Sequence, residues 1–455
     1  MKKVLVAAMA VALAAAMCVP ASAFENEFGG YWRTRAYTQQ DFSGDKTESA
    51  DLQQVDTRTR LYYTAKFSDD FKFVNKFEFD GVWGDTDDDS YGDVGTDGVA
   101  VEVKNSYVDF NLGYYNFKIG AQAGYLGRGF IMDDDFAGAV ITANLGDISV
   151  PFYWIKNYEG GEGKDKNKAD MDTIVITPEF KSGNLKVSPY LSYTYIDKAK
   201  GENIDDLAGD ELVEALELDE NYPFSEQVNN SYLDLKVATI GLDLDLALTD
   251  NSNIWFSGFY QYGELNGGLE VFSGDAYKAE ADISAYLMAF GGNIDVEGID
   301  IHGQFFYASG NDQDELSEDN FDDATNKLDF DLDGFMDVTQ GQSYYWAEIM
   351  GYGMVDNQVS AGSCADKISN IMAFNIGASM SPVEKLTVGA DIWYAMLAED
   401  DAAGEDYLGT ELDLTASYKV IDNLTLDVVA AYLFAGDATG EEDPMEIGAQ
   451  LSLSF

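Results

Sequence analysis

Two short stretches, "YWRTRAY" at 31–37 and "DTRTRLYY" at 56–63, place Arg33, Arg35, Arg58 and Arg60 at alternate positions. Arg128 is the one other arginine in the chain. A guanidinium is a planar fork of donors that grips carboxylate or phosphate at two points. Four such forks at period two, in a chain of formal net charge −55, would form a strip for handling anionic groups, or one pole of a field across a channel. They would equally brace a wall by pairing with Asp56, Glu78, Asp80 or an inserted segment. Like charges side by side repel unless something anionic lies between them, which favours the strip. Lys72, Lys76, Lys104 and Lys118 extend it along the following segments. The stretch "GYLGRGFIMDDDFAG" (124–138) carries Arg128 and the triplet Asp133, Asp134 and Asp135. Folded inward it would oppose the strip as the other face of a constriction; left outside it would be an ordinary loop.

Other chemistry is sparse. Asp329, Asp331 and Asp333 precede Gly334, with Asp337 following. That spacing matches the start of a calcium loop, but Gln340 stands where a bidentate glutamate belongs. The sequence implies no cofactor: the stretch reads as a solvated acidic loop with diffusely bound divalent ions, a looser calcium site in an outer loop being the alternative and 84–98 a weaker acidic candidate. His302 is the only histidine, so a histidine-built metal site is excluded. No nucleophile is marked beside it, and the chain reads as no enzyme. Its acidity excludes nucleic acid, which needs a basic footprint.

Period two needs strands to position it. Residues 1–23 read as a cleaved signal peptide, with Lys2 and Lys3, an apolar run from Val4 to Met17, and Ala21-Ser22-Ala23. Cys364 is then the one remaining cysteine, and no internal disulfide can form. No other stretch nears the roughly 20 apolar residues of a membrane helix. Alternating segments fill the chain instead. In "PMEIGAQLSLSF", Met445, Ile447, Leu451 and Leu453 share one face and Glu446, Gln450 and Ser452 the other. By the same rule Leu408, Leu412 and Leu414 face outward, and Glu411 and Asp413 inward. An arginine facing lipid at mid-bilayer costs roughly 2–4 kcal/mol, so the strip belongs to the lumen.

About eighteen strands follow, with sixteen the alternative count. They begin near Phe28, Leu52, Phe71, Val99, Tyr114, Asp135, Ile148, Met171, Leu185, Tyr232, Asn253, Tyr277, Ile299, Ile371, Leu386, Tyr407, Asn423 and Met445. Short turns alternate with long acidic loops, as in a transmembrane antiparallel β-barrel. The two longest loops span 199–230, with a short acidic helix expected, and 311–370. Aromatic residues near strand ends, Trp255, Trp393 and Tyr394 among them, are read as interfacial girdles.

A terminal Phe455 closing "IGAQLSLSF" resembles Gram-negative porins. "VEVKNSYVDFNL…FKIGAQAGYLGRGFIMDDDFAG" and "SPVEKLTVGADIWYAMLAED…YLGTELDLTASYKVIDNLTLDVVAAYLFAGD" resemble homotrimeric porins of sulfate-reducing bacteria. The second stretch is also similar to alginate-export barrels. The resemblance implies passive diffusion of small hydrophilic solutes through an outer-membrane homotrimer, in contact with lipid and lipopolysaccharide. The small residues of "FAGAVITANLG" (136–146) would suit a subunit contact. A dedicated channel or exporter for acidic solutes or polysaccharide is the alternative. A barrel whose long loops serve recognition is a third reading.

Overall fold

The computed structural model describes residues 24–44, 51–86, 90–95, 99–159, 170–200, 232–270, 276–312, 321–322, 327–357, 360, 367–401 and 403–455. The signal peptide, the acidic helix expected within 199–230, and Cys364 lie outside them. So does part of the acidic segment 84–98.

Among the described residues the regular structure is all strand, apart from one three-residue 3-10 turn. In order the strands are β1 (Glu25–Gln40), β2 (Leu52–Ser68), β3 (Phe71–Val82), β4 (Glu102–Leu112), β5 (Tyr115–Leu126), β6 (Met132–Asn144) and β7 (Ile148–Tyr158). There follow β8 (Met171–Ile176), β9 (Glu179–Ser182), β10 (Leu185–Lys200), β11 (Tyr232–Thr249), β12 (Ser252–Glu270), β13 (Ala276–Val296) and β14 (Ile299–Ala308). The last are β15 (Phe321–Asp322), β16 (Lys327–Leu332), β17 (Ile371–Val383), β18 (Leu386–Met396), β19 (Tyr407–Ile421), β20 (Leu424–Ala435) and β21 (Met445–Ser454).

Each wall strand pairs antiparallel with its neighbour, and β1 pairs with β21. The sheet therefore closes and leaves no edge, which is what lets strands cross lipid with every backbone group paired. Both β8 and β9 pair with β7 and β10, so they form one span interrupted at Thr177 and Pro178. Proline has no N–H to give the ladder. β15 and β16 belong to the long loop, where β16 runs parallel to β13. The result is an all-β antiparallel barrel of eighteen spanning strands.

Alternation explains the walls. Ile447 is 47% exposed on the outer face while its neighbour Glu446 is fully buried inside. Outer aromatics touch in a chain across neighbouring strands, from Phe67 to Phe71, Phe110 and Phe117. Short turns bend through left-handed residues, as Glu297 (φ 56°) and Gly298 (φ 86°) do between β13 and β14. The expected outward Leu408 is instead fully buried. The register of β19 against β18 shifts between Met396–Tyr407 and Ala395–Gly409, and this bulge turns Leu408 to the interior.

The lumen is not an open tube. The segment after β16 folds into it and brings Phe335, Trp346, Ala347, Ile349, Met350 and Ile368 against Phe306, Trp393, Leu408 and Leu433 of the wall. Trp393 is 3% exposed and lies 5.1 Å from Trp346, ring centre to ring centre. It is an interior anchor rather than part of the girdle, whereas the adjacent Tyr394 faces outward.

Candidate functional site: a constricted lumen

The geometry begins with an inward-folded hairpin. β4 pairs with β5 only as far as Ser106 and Ala121, and β7 pairs with β6 only from Gly138 onward. Beyond those points β5 and β6 pair with each other alone. Released from both neighbours, the hairpin crosses the lumen. Its tip residues Phe130, Ile131 and Met132 are at most 3% exposed, and Phe130 stacks on Tyr344 of the long loop at 3.8 Å.

The loop is fastened onto this tip. Gln342 Nε2 donates to the Phe130 carbonyl at 2.5 Å, Thr339 Oγ1 to the Ile131 carbonyl at 2.6 Å, and Asp133 N to the Gly341 carbonyl at 2.8 Å. Asp337 shapes the turn that presents these groups, accepting from Thr339 N at 3.1 Å and Gln342 N at 2.9 Å. Burial pushes its carboxyl above the ordinary range, and those hydrogen bonds oppose the rise. Asp337 is thus engaged in the loop's own turn, through Thr339 and Gln342. Asp329 and Asp331 lie on β16, in register with Glu280 and Asp282 of β13. Among the described residues no three His, Cys, Asp or Glu side chains converge as a metal cage.

Hairpin and loop leave a passage of about 570 Å³ along the β2–β4 wall. Arg58, Arg60, Lys76 and Lys104 line one side; Asp133, Asp134 and Asp135 of the hairpin and residues 340–343 of the loop line the other. Lys104 sits at a bulge where β3 residues Lys76 and Phe77 oppose Asn105 and Val103. It bridges Glu78 at 3.6 Å and Asp135 at 3.3 Å, and Asn105 Nδ2 donates to Asp135 at 2.6 Å. Lys76 has no carboxylate partner among the described residues; its ammonium lies 5.3 Å from the centre of the Tyr62 ring.

The four strand arginines divide into two pairs. Arg33 faces Arg58, and Arg35 faces Asp56, across the β1–β2 ladder. Arg35 binds Asp56 at 2.8 Å, the Met354 carbonyl at 3.1 Å, and Asp356 of the loop. Arg33 lies 3.5 Å from the same Asp356. These two are consumed in fixing the loop, with side chains 12% (Arg33) and 7% (Arg35) exposed. Arg58 pairs with Asp80 and Arg60 with Glu78, yet they remain 25% and 29% exposed to the passage. Bracing and water contact thus coexist in one ladder.

Several expected constriction residues lie elsewhere. Lys72 pairs with Asp109 at 3.3 Å in a second cavity of about 440 Å³ near the β2–β3 turn. Lys118 sits opposite Asp109 in the β4–β5 register and does not reach the passage. Arg128 crosses to the far wall at β11 and β12, where it covers Trp255. Trp255 is therefore no girdle residue either. The loop residues Ser343, Tyr345 and Asp356 also line the passage, which strand alternation gives no means of expecting. Their signal was the apolar run around "GFMDV" and "WAEIM" (334–338 and 346–350), too hydrophobic for a solvated loop.

His302 is held between carboxylates, Asp300 at 3.0 Å and Asp391 at 2.9 Å. Both ring nitrogens are taken, so the ring has no nitrogen free to serve as a base toward a hydroxyl nucleophile.

No protein-family model matches the chain, and no curated protein matches it by sequence. Its structure is similar to those of Acinetobacter baumannii OccAB3 (TM-score 0.54, 8% identity, 94% of this chain and 99% of the other) and Pseudomonas aeruginosa OprD (0.52, 12%, 96% and 97%). Pseudomonas aeruginosa OccK11 is comparable (0.52, 10%, 94% and 96%). The likeness runs the full length of the barrel and is one of architecture; a particular kinship to porins of sulfate-reducing bacteria or to alginate exporters does not emerge from it. The chain has the closed eighteen-strand fold of the OprD/Occ outer-membrane porins.

Proposed function

We propose that this chain is an outer-membrane porin that lets small hydrophilic solutes and ions diffuse through a charged constriction. The observation that carries the reading is a passage of about 570 Å³ with guanidinium and ammonium groups on one wall and three carboxylates on the facing hairpin. Opposed charges across a narrow low-dielectric gap make a transverse field, which orders water and aligns solute dipoles.

Planar-bilayer recording of the purified protein under a salt gradient tests this. Stable ohmic conductance is expected, with a reversal potential set by the balance between the arginine wall and Asp133–Asp135. A sealed barrel without conductance would transfer the function to the loops. The alternative, a channel dedicated to acidic solutes, draws on Arg58, Arg60 and Lys76 as exposed cations; it predicts saturable current block by a carboxylate solute that Arg58→Ala abolishes. A homotrimer contact would draw on Ile141 and Ala143 of the 136–146 patch, because Phe136 and Val140 pack in the interior and Ala137 belongs to the part of β6 that has left the wall. Chemical crosslinking in native membranes tests it.

A further inference from the structure

Arg128 is at the tip of the hairpin, and its backbone is left-handed (φ 60°, ψ 23°) between Gly127 (φ 57°) and Gly129 (φ 93°). Such a backbone disfavours a side chain with a Cβ and persists only where surrounding contacts over-determine it. Those contacts lie across the lumen. Nε donates to Ser257 Oγ at 3.1 Å, Nη2 donates to the Leu244 carbonyl at 3.3 Å and pairs with Asp245, and the guanidinium carbon lies 4.8 Å from the centre of the Trp255 ring. Ser257 is itself held by Asp243.

The flanking residues admit no substitute. A Cβ on Gly127 would come within 2.8 Å of Phe259 Cζ, and one on Gly129 within 2.6 Å of the Ser343 carbonyl oxygen. The stretch is shaped to deliver one guanidinium to one place on the opposite wall. Among the described residues, Arg128 makes every hydrogen bond and ion pair between the hairpin and β11–β12. The same hairpin carries Asp133, Asp134 and Asp135, the acidic side of the passage.

We propose that Arg128 is a positioning residue, a latch that holds the hairpin across the lumen and so sets the width and steadiness of the conducting path. The inference rests on the porin reading. Arginine is required rather than any cation, because the three acceptors and the indole face lie around one planar fork.

The test is single-channel recording of the full-length protein in planar bilayers, comparing wild type with Arg128→Ala, Arg128→Lys and Asp245→Asn. Arg128→Ala should raise mean conductance by about half or more and add excursions between levels, as the freed tip moves. Arg128→Lys should fall between the two, keeping Asp245 and losing Ser257 and Leu244. Asp245→Asn leaves the strained tip untouched and carries the test if Arg128→Ala does not fold; it should add excursions and open Arg128 to phenylglyoxal, read by mass spectrometry. Wild-type conductance and noise in both Arg128→Ala and Asp245→Asn, or in Asp245→Asn alone where Arg128→Ala is lost, would overturn the latch while leaving the porin reading intact. A non-conducting wild type would overturn both.

Discussion

Gly120 and Gly138 face each other in the β5–β6 ladder at the place where the hairpin leaves the wall. A Cβ on Gly120 (φ 132°) would lie 2.2 Å from the Ser106 carbonyl oxygen, and one on Gly138 would lie 2.0 Å from the Trp154 carbonyl oxygen. Each glycine lies at the last paired positions of its wall strand, Gly120 opposite Tyr107 and Gly138 opposite Ile155, and lets the hairpin pass close over that strand as it leaves. The inward fold therefore depends on two missing side chains.

Gly138→Ala should destabilise the barrel by about 1–3 kcal/mol, the usual range for forcing a methyl into packed surroundings, because the clash is with backbone that cannot swing aside. Urea unfolding in detergent micelles measures it. An unchanged midpoint would mean the hairpin bends elsewhere.

The split within the arginine ladder makes a second prediction. Removing Arg35 strands Asp56, only 8% exposed, and leaves Asp356 with Arg33 alone. Losing one partner of a buried ion pair costs about 3–5 kcal/mol. Arg35→Ala should therefore lower stability and loosen the loop at Met354. Arg58→Ala, at a water-facing position, should cost far less and change ion selectivity instead. Equal stability losses in the two variants would refute the division.

Selectivity should respond with opposite signs on the two sides of the passage. Replacing Asp133, Asp134 and Asp135 together by asparagine should move the reversal potential toward that of an anion-selective pore. Arg58→Ala with Arg60→Ala should move it toward cation selectivity. Both shifts should shrink as salt rises, since charges are screened over about 10 Å at 0.1 M and about 3 Å at 1 M. Shifts of the same sign would mean that charge at the mouth governs permeation.

The walls of this barrel were legible in the sequence and its interior was not. Strand starts such as Leu52, Phe71, Ile148, Met171, Leu185, Tyr232, Ile299, Ile371, Leu386, Tyr407 and Met445 coincide with observed strand starts, because lipid on one side and water on the other write a period of two. That same rule failed at Leu408 and could not foresee Lys104 and Asn105 both turning inward, since a bulge breaks the period without leaving a mark. The inward hairpin was one of two readings of the Gly–Asp-rich stretch. Its direction is decided by Gly120, Gly138 and the reach of Arg128, which are long-range relations. The grouping of Arg128 with Asp133–Asp135 was misleading for the same reason: neighbours in sequence, they point to opposite sides of the lumen. The loop's role was masked by its acidic first half, which drew attention from the apolar residues that follow.

Glu348 should give the loop a pH dependence. It sits in the docked loop, where its carboxylate accepts from Met354 N at 2.6 Å. The preceding turn is held by Glu411, which accepts from Ile349 N at 2.6 Å and Met350 N at 2.9 Å. Burial pushes the Glu348 carboxyl up to about 7, the Met354 hydrogen bond opposes this, and the charges of Glu411 and Asp391 add to the rise. Asp413, which accepts weakly from Glu348 N at 3.4 Å, and Glu446 complete the acidic groups around it. A carboxyl raised in the docked state binds a proton that the released loop, titrating near 4.5, has already lost. Docking is therefore strongest at and below about pH 4.5, weakens as pH rises toward 7, and levels off above. Glu348→Gln keeps an acceptor for Met354 and removes the titration, so its docking should be flat over that range. Hydrogen exchange at Ile349, Met350 and Met354, corrected for intrinsic rates and followed from pH 5 to 8, reads the difference directly. Protection that falls with pH in both proteins alike would assign the effect to Glu411 and Asp413 on β19 rather than to Glu348.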